Sequence, residues 1–280
     1  MVTKKSGLDG LVETEIERSI ETSAEHTVAP GITAPIEVIR NIPDKAKARQ
    51  KSYIMDLRIH SPASLGYLGV EGLDTAPALV RLARVKGLDV IAVTDFYSGK
   101  FIDRVAEAAR GTALTVVPGV VIRCSIPSCQ DIILTCLFPE SYSGARVEEF
   151  LKAIDVPASA FGSRSFMVTK SLRDTLAVVE KFQGVALPSR MDKTPHRLAA
   201  IPTLIEDYGF RAFDLAYGDS ARFFKTRWPK IKFQLFSFSN ANALAQIGSR
   251  IAKVKMPIPG FEGIRQLVGR QPGTTPGVAV

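Results

Sequence analysis

The sequence predicts an α/β protein: a parallel sheet that alternates with helices, in a number of units that favours a TIM-like (β/α) barrel over an open sheet. Three observations carry this. About seven strand-type stretches alternate with helix-type stretches over roughly 220 residues, as crossover connections require. Stretches such as Leu88-Asp-Val-Ile-Ala-Val-Thr94 are apolar enough to be buried strands. Strand after strand ends in polar residues, and the C-terminal ends of barrel strands are where sites are built.

Residues 1–50 read as an N-terminal arm and linker. An acidic stretch at 8–22 has helical spacing of Leu11, Ile16 and Ile20, and Ala29-Pro-Gly-Ile-Thr-Ala-Pro35 breaks regular structure. So thin an apolar stripe builds no core of its own, and the arm is expected to pack on something else, a protein partner included.

Residues 51–270 form the barrel domain. A strand at 53–59 leads to a helix at 75–86, capped by Asp74, with Pro77 in its first turn and Gly87 as its stop. A strand at 88–94 precedes a helix at 101–110, marked by Ile102, Val105, Ala106 and Ala109. A strand at 114–122 is interrupted by Pro118-Gly119, and 131–138 is its hairpin partner through Pro127-Ser-Cys129. After a helix at 144–154 and an irregular connection at 155–168, Ser171 caps a helix to 182. A short strand at 184–187, a helix at 198–208 stopped by Gly209, a strand at 210–217 and a helix at 220–228 follow. A strand at 231–239 and helices at 243–250 and 261–268 complete the domain. The tail, 271–280, is rich in Pro, Gly and Thr and reads as disordered.

Composition narrows the class. No apolar run reaches about 18 residues, so no membrane span is expected, and the charged N-terminus lacks the apolar core of a secretory signal. The three cysteines, Cys124, Cys129 and Cys136, lack paired zinc spacing and read as thiols of a cytoplasmic protein. A net charge of +8 suits phosphate-bearing partners. Nucleic acid is among these, but no Lys/Arg block is denser than Lys45-Ala-Lys-Ala-Arg-Gln-Lys51, which also reads as a solvated linker. Phe223-Phe224 and Trp228 have the spacing of helix packing more than of a base-stacking platform. There are three histidines, His26, His60 and His196, too few for a multinuclear metal site built on imidazole.

The strand ends supply the candidate site. In Met55-Asp-Leu-Arg-Ile-His60, alternation puts Asp56, Arg58 and His60 on one face of the strand. Three ionisable groups there need partners, a ligand or water. The other ends give Thr94-Asp95-Phe96, Val121-Ile-Arg123, Leu187-Pro-Ser-Arg190 with Asp192 and Lys193, Tyr217-Gly-Asp219, and Ser239-Asn240-Ala-Asn242. Basic and amide groups dominate, which suits an anion better than a cation.

Asp56-Leu-Arg-Ile-His-Ser61 resembles the Asp-x-His-x-His-Ser opening of the polymerase and histidinol phosphatase (PHP) family of metal-dependent phosphoesterases, with Arg58 at the first histidine. Gly87-Leu-Asp-Val-Ile-Ala-Val followed by Thr94-Asp95-Phe96 resembles its Thr-Asp-His motif. Pro118-Gly-Val-Val121 stands where the family has Pro-Gly-Val-Glu, and Leu187-Pro188 where it has His-Pro. Ser239-Asn240-Ala241-Asn242 stands for its closing Ser-Asp-Ala-His. The resemblance covers about 53–250 and implies a distorted seven-stranded (β/α) barrel.

Scaffold residues match and metal ligands do not: of the ligand positions that align, only His60 survives. Arginine has no lone pair to give a metal. The resemblance therefore implies a degenerate, metal-free member, leaning away from enzymatic activity, that binds a phosphorylated or anionic small molecule or acts as a regulatory module. Arg58, His60, Arg123, Arg190, Lys193, Asn240 and Asn242 are the expected anion contacts, and His60 is the one candidate for general acid–base work. No cofactor is expected. The alternatives are a phosphoesterase holding one divalent ion (Mg²⁺, Mn²⁺ or Zn²⁺) on His60, Asp95 and Asp219, and a nucleic-acid-binding or scaffold protein. An internal ion pair of Arg58 with Asp95 or Asp56, and a structural role for His60, are the competing readings of those two residues.

Overall fold

The computed structural model describes residues 51–271, so the arm expected at 1–50 and all but the first residue of the tail lie outside it. Three strands open the sheet in parallel: β1 (Lys51–Ile59), β2 (Val90–Phe96) and β3 (Thr115–Ile126). Two helices, α1 (Thr75–Val85) and α2 (Ile102–Ala109), make the crossovers. Asp74 caps α1 by accepting from the Ala76 N–H, and Gly87 turns the chain away at φ 70°.

Beyond β3 the sheet is not parallel. β4 (Cys129–Leu137) returns antiparallel through the expected tight hairpin, because a link of two residues cannot make a parallel crossover. β5 (Val185–Pro188) pairs antiparallel with β4, after α3 (Gly144–Ala153) and α4 (Leu172–Lys181), which Ser143 and Ser171 cap. The predicted helix at 198–208 is two short ones, α5 (Pro195–Leu198) and α6 (Ile201–Glu206). Pro202 sits in the first turn of α6, where its missing N–H does no harm.

β6 (Ala212–Asp214), α7 (Ala221–Arg227) and β7 (Gln234–Phe236) follow, β6 and β7 forming a separate parallel pair. The helix predicted at 243–250 is a single 3₁₀ turn, Leu244–Gln246, ended at Gly248 with φ 65°. It is followed by an unforeseen strand, β8 (Ala252–Met256), antiparallel to β1, and by α8 (Phe261–Val268).

The main sheet is a curled, six-stranded half-barrel in the order β5-β4-β3-β2-β1-β8. Single bridges join its strand ends to β6 and to the segment that follows β7: Ser189 to Asp214, and Ile59 to Ala241. One apolar cluster packs Ile91, Val93 and Val120 under helix residues such as Leu79, Val105 and Phe150. A second gathers Val90, Ala92, Val117 and Leu187 with Phe236 and with Phe261 and Ile264 of α8. The three cysteines are buried free thiols, and burial pushes Cys124 up to about 12.

Candidate functional site

The end of β1 departs from simple alternation. Asp56 pairs with Ile91 and Ile59 with Val93, so Leu57 and Arg58 together oppose Ala92 in a β-bulge. The apolar residues show the result: Met55 and Leu57 join one cluster and Ile59 the other. Asp56 therefore does not share a face with Arg58 and His60. It accepts instead from the backbone N–H groups of Ser239 (3.2 Å) and Gly248 (3.1 Å), fixing the segment beyond β7. Burial pushes its pKa up to about 6.

Arg58 is 2 % exposed, and its Nη1 lies 3.4 Å from Asp214 Oδ2. Its partner is thus neither Asp95 nor Asp56 but a residue on β6. Burial lowers the Arg58 pKa to about 10 against the pull of Asp214, so the guanidinium stays cationic at neutral pH. Its Nε is buried with no partner among the described residues.

His60 is 1 % exposed and stacks on Phe96, ring centroids 5.2 Å apart. Its Nε2 lies 3.5 Å from Asn240 Oδ1. Burial, with the Arg58 and Arg164 charges, pushes its pKa down to about 3, leaving a neutral imidazole. Asp95 is spent on structure, accepting from the Ser61 N–H (2.7 Å) and from the hydroxyls of Ser61 and Ser64 (2.6 Å for Ser64) to hold the turn after β1. Burial raises its pKa to about 6. Asp219 is exposed in the 3₁₀ turn Gly218–Ser220. Among the described residues no three His, Cys, Asp or Glu side chains come together to hold a metal, so His60, Asp95 and Asp219 are not assembled. The carboxylates at these strand ends are already committed, Asp95 to Ser61 and Ser64 and Asp214 to Arg58, and the arginine beside His60 has no lone pair to give a divalent ion.

These strand ends border a cavity of about 240 Å³. Arg58 and Phe96 line it from the ends of β1 and β2, Asn240 from the segment after β7, and Ile133 from β4. The remaining lining side chains are Arg123, Arg164, Arg190, Lys193 and Arg197. Five of the seven expected anion contacts thus meet in one place. Asn242 stands one bond away, its Oδ1 accepting from Arg164, and His60 touches the lining residues Phe96 and Asn240.

Asp131 receives both Arg123 (Nε, 2.8 Å) and Arg197 (Nε, 2.9 Å). Burial would raise its pKa, but the two arginines outweigh this and hold it below the usual carboxylate range. Arg190 and Asn240 both adopt left-handed backbone, φ 55° and 53°, a strain that non-glycine residues keep only where surrounding contacts enforce it. For Arg190 one such contact is its N–H on the Asp214 carbonyl, 2.6 Å. Close by, Asp192 accepts from the N–H groups of Ala216 and Tyr217.

Arg164 and Arg197 escape a reading confined to strand ends. Arg164 belongs to the irregular connection after α3, its guanidinium over the Phe96 ring at 5.5 Å, and Arg197 to α5. The one signal was local: Gly162-Ser-Arg-Ser165 is a polar, glycine-led turn inside an otherwise apolar connection.

Neither a protein-family model nor a curated protein matches the chain. Among solved structures it resembles a lesion-specific endonuclease from Pyrococcus furiosus, with a TM-score of 0.58 and 17 % identity over 79 % of this chain. The match spans 57 % of the endonuclease. It also resembles an amidohydrolase from Chromobacterium violaceum, solved with bound sulfate and no metal, with a TM-score of 0.53 and 13 % identity over 77 % of this chain and 97 % of that one. At these identities the likeness is one of architecture, and the chain has the α/β fold that this endonuclease and this amidohydrolase share.

Proposed function

We propose that the chain is a degenerate barrel of the PHP type that binds a phosphorylated or otherwise anionic small molecule without a metal. Seven strands, β1 to β7, would form the ring, the bridges at Ser189–Asp214 and Ile59–Ala241 supporting closure, with β8 added outside it. The observation that carries the functional reading is the cavity lining: five arginines and a lysine, with no carboxylate among the lining residues. Arginine forks and amides recognise phosphate and carboxylate oxygens directly. The neutral His60 can donate or accept a hydrogen bond there but carries no charge to neutralise an anion.

The test is thermal unfolding of the full chain after chelator treatment, with and without orthophosphate. A ligand at about 100 times its Kd adds about 2.7 kcal/mol, a shift of a few degrees. Orthophosphate is expected to raise the midpoint with chelator present, and Arg190→Ala to abolish the rise. A protein that ignores orthophosphate but is stabilised by Mn²⁺, Mg²⁺ or Zn²⁺ would sink the proposal and favour a single-ion phosphoesterase.

A further inference from the structure

We infer that the ligand carries two phosphoryl groups, one at the buried Arg58 end of the cavity and one among the exposed cations at its mouth. This rests on the anion-binding reading above. Six cations line the cavity, and among the described residues only two carboxylates pair with them: Asp214 with Arg58, and Asp131 with Arg123 and Arg197. Four positive charges are left uncompensated. A single phosphate group, at about −1.5 to −2, neutralises half of that.

The cations are also tiered. Arg58 is buried, and the side chains of Arg123 and Arg197 are 22 % and 13 % exposed. Arg164 and Lys193 are exposed and form no ion pair among the described residues. The volume agrees with two groups. A cavity of about 240 Å³ gives more room than the five heavy atoms of one phosphate fill. At the inner end, Arg58 Nε and His60 Nδ1 are buried without partners, and Arg58 lines the cavity. A buried donor without an acceptor is costly unless a ligand supplies one.

The experiment is calorimetric titration of the chelator-treated full chain with orthophosphate, pyrophosphate and a short single-stranded oligonucleotide. Pyrophosphate is expected to bind about tenfold tighter than orthophosphate or better, the gain of one further set of charge-assisted hydrogen bonds. The doubly substituted Arg164→Ala/Lys193→Ala protein, altered only at exposed positions, should lose most of that advantage. Equal affinity for the two phosphates, or an advantage that survives the double substitution, overturns the two-group inference and leaves the anion site standing. An oligonucleotide that binds tighter than pyrophosphate also overturns it, in favour of a strand-binding surface. No binding of either phosphate removes both the inference and the reading beneath it.

Discussion

Arg58 and His60 lie two residues apart, and burial lowers the pKa of both, yet leaves the first charged and the second neutral. The buried guanidinium of Arg58 keeps its charge because Asp214 lies beside it, and that carboxylate, itself raised by burial, depends on Arg58 in turn. Removing one partner of a buried pair leaves an uncompensated charge, which costs about 3–5 kcal/mol. Arg58→Met is therefore expected to lose about that much in urea unfolding, and adding Asp214→Asn should restore most of it. His60 is held neutral. Its folded pKa of about 3 lies below the usual 6.5, so between those values the unfolded chain binds the extra proton. The His60 contribution is complete above pH 6.5 and is lost as pH falls towards 3. The His60→Gln variant should therefore gain on the parent by about 1.4 kcal/mol per pH unit below 6.5, checked by urea unfolding at several pH values. That both side chains mattered was legible in the sequence. Their partners were not, because Asp214 lies 156 residues from Arg58 and Asn240 lies 180 from His60.

The elements show why periodicity alone misplaces such groups. Alternation along β1 is broken by the bulge at Leu57–Arg58, which leaves Asp56 on backbone amides, turns Arg58 to the cavity and sets His60 against the lining residues Phe96 and Asn240. No composition cue marks it, since neither residue is a glycine. Pro118-Gly119 misleads in the other direction. It reads as an interruption, yet β3 runs straight through it, because pairing with β4 begins only at Gly119 and no Pro118 N–H is needed on that side. Gly119 is required for close approach. A Cβ there would stand 2.8 Å from Thr94 Cγ2 and 2.9 Å from the Cys136 carbonyl oxygen. Gly119→Ala is expected to destabilise by about 1–3 kcal/mol in urea unfolding, the usual range for overpacking. β8 was legible and overlooked: Lys253 and Lys255 are exposed while Val254 and Met256 are buried, the alternation of an edge strand guarded by lysines.

For the whole molecule, the α/β class and the polar strand ends were readable, because hydrophobic period and turn residues are local. The antiparallel half of the sheet was readable only at the β3–β4 hairpin. Partnership of β4 with β5 is set by packing across 47 intervening residues, from 138 to 184, which no local pattern records. The cavity shows the same division: five of its cations and amides belong to the polar stretches at or after strands that the sequence singled out, while Arg164 comes from the irregular connection after α3 and Arg197 from α5. This division has an electrostatic consequence. The exposed cations at the mouth act through solvent, where the screening length shrinks from about 10 Å at 0.1 M salt to about 3 Å at 1 M. Arg58 acts from a buried position and is screened far less. Raising KCl from about 0.1 M to about 1 M should therefore weaken pyrophosphate binding more than orthophosphate binding and narrow the gap between them. Calorimetric titrations at both salt concentrations check this. A uniform loss for both ligands would mean that they meet the same cations, all of them solvated, and that the buried end of the cavity holds neither.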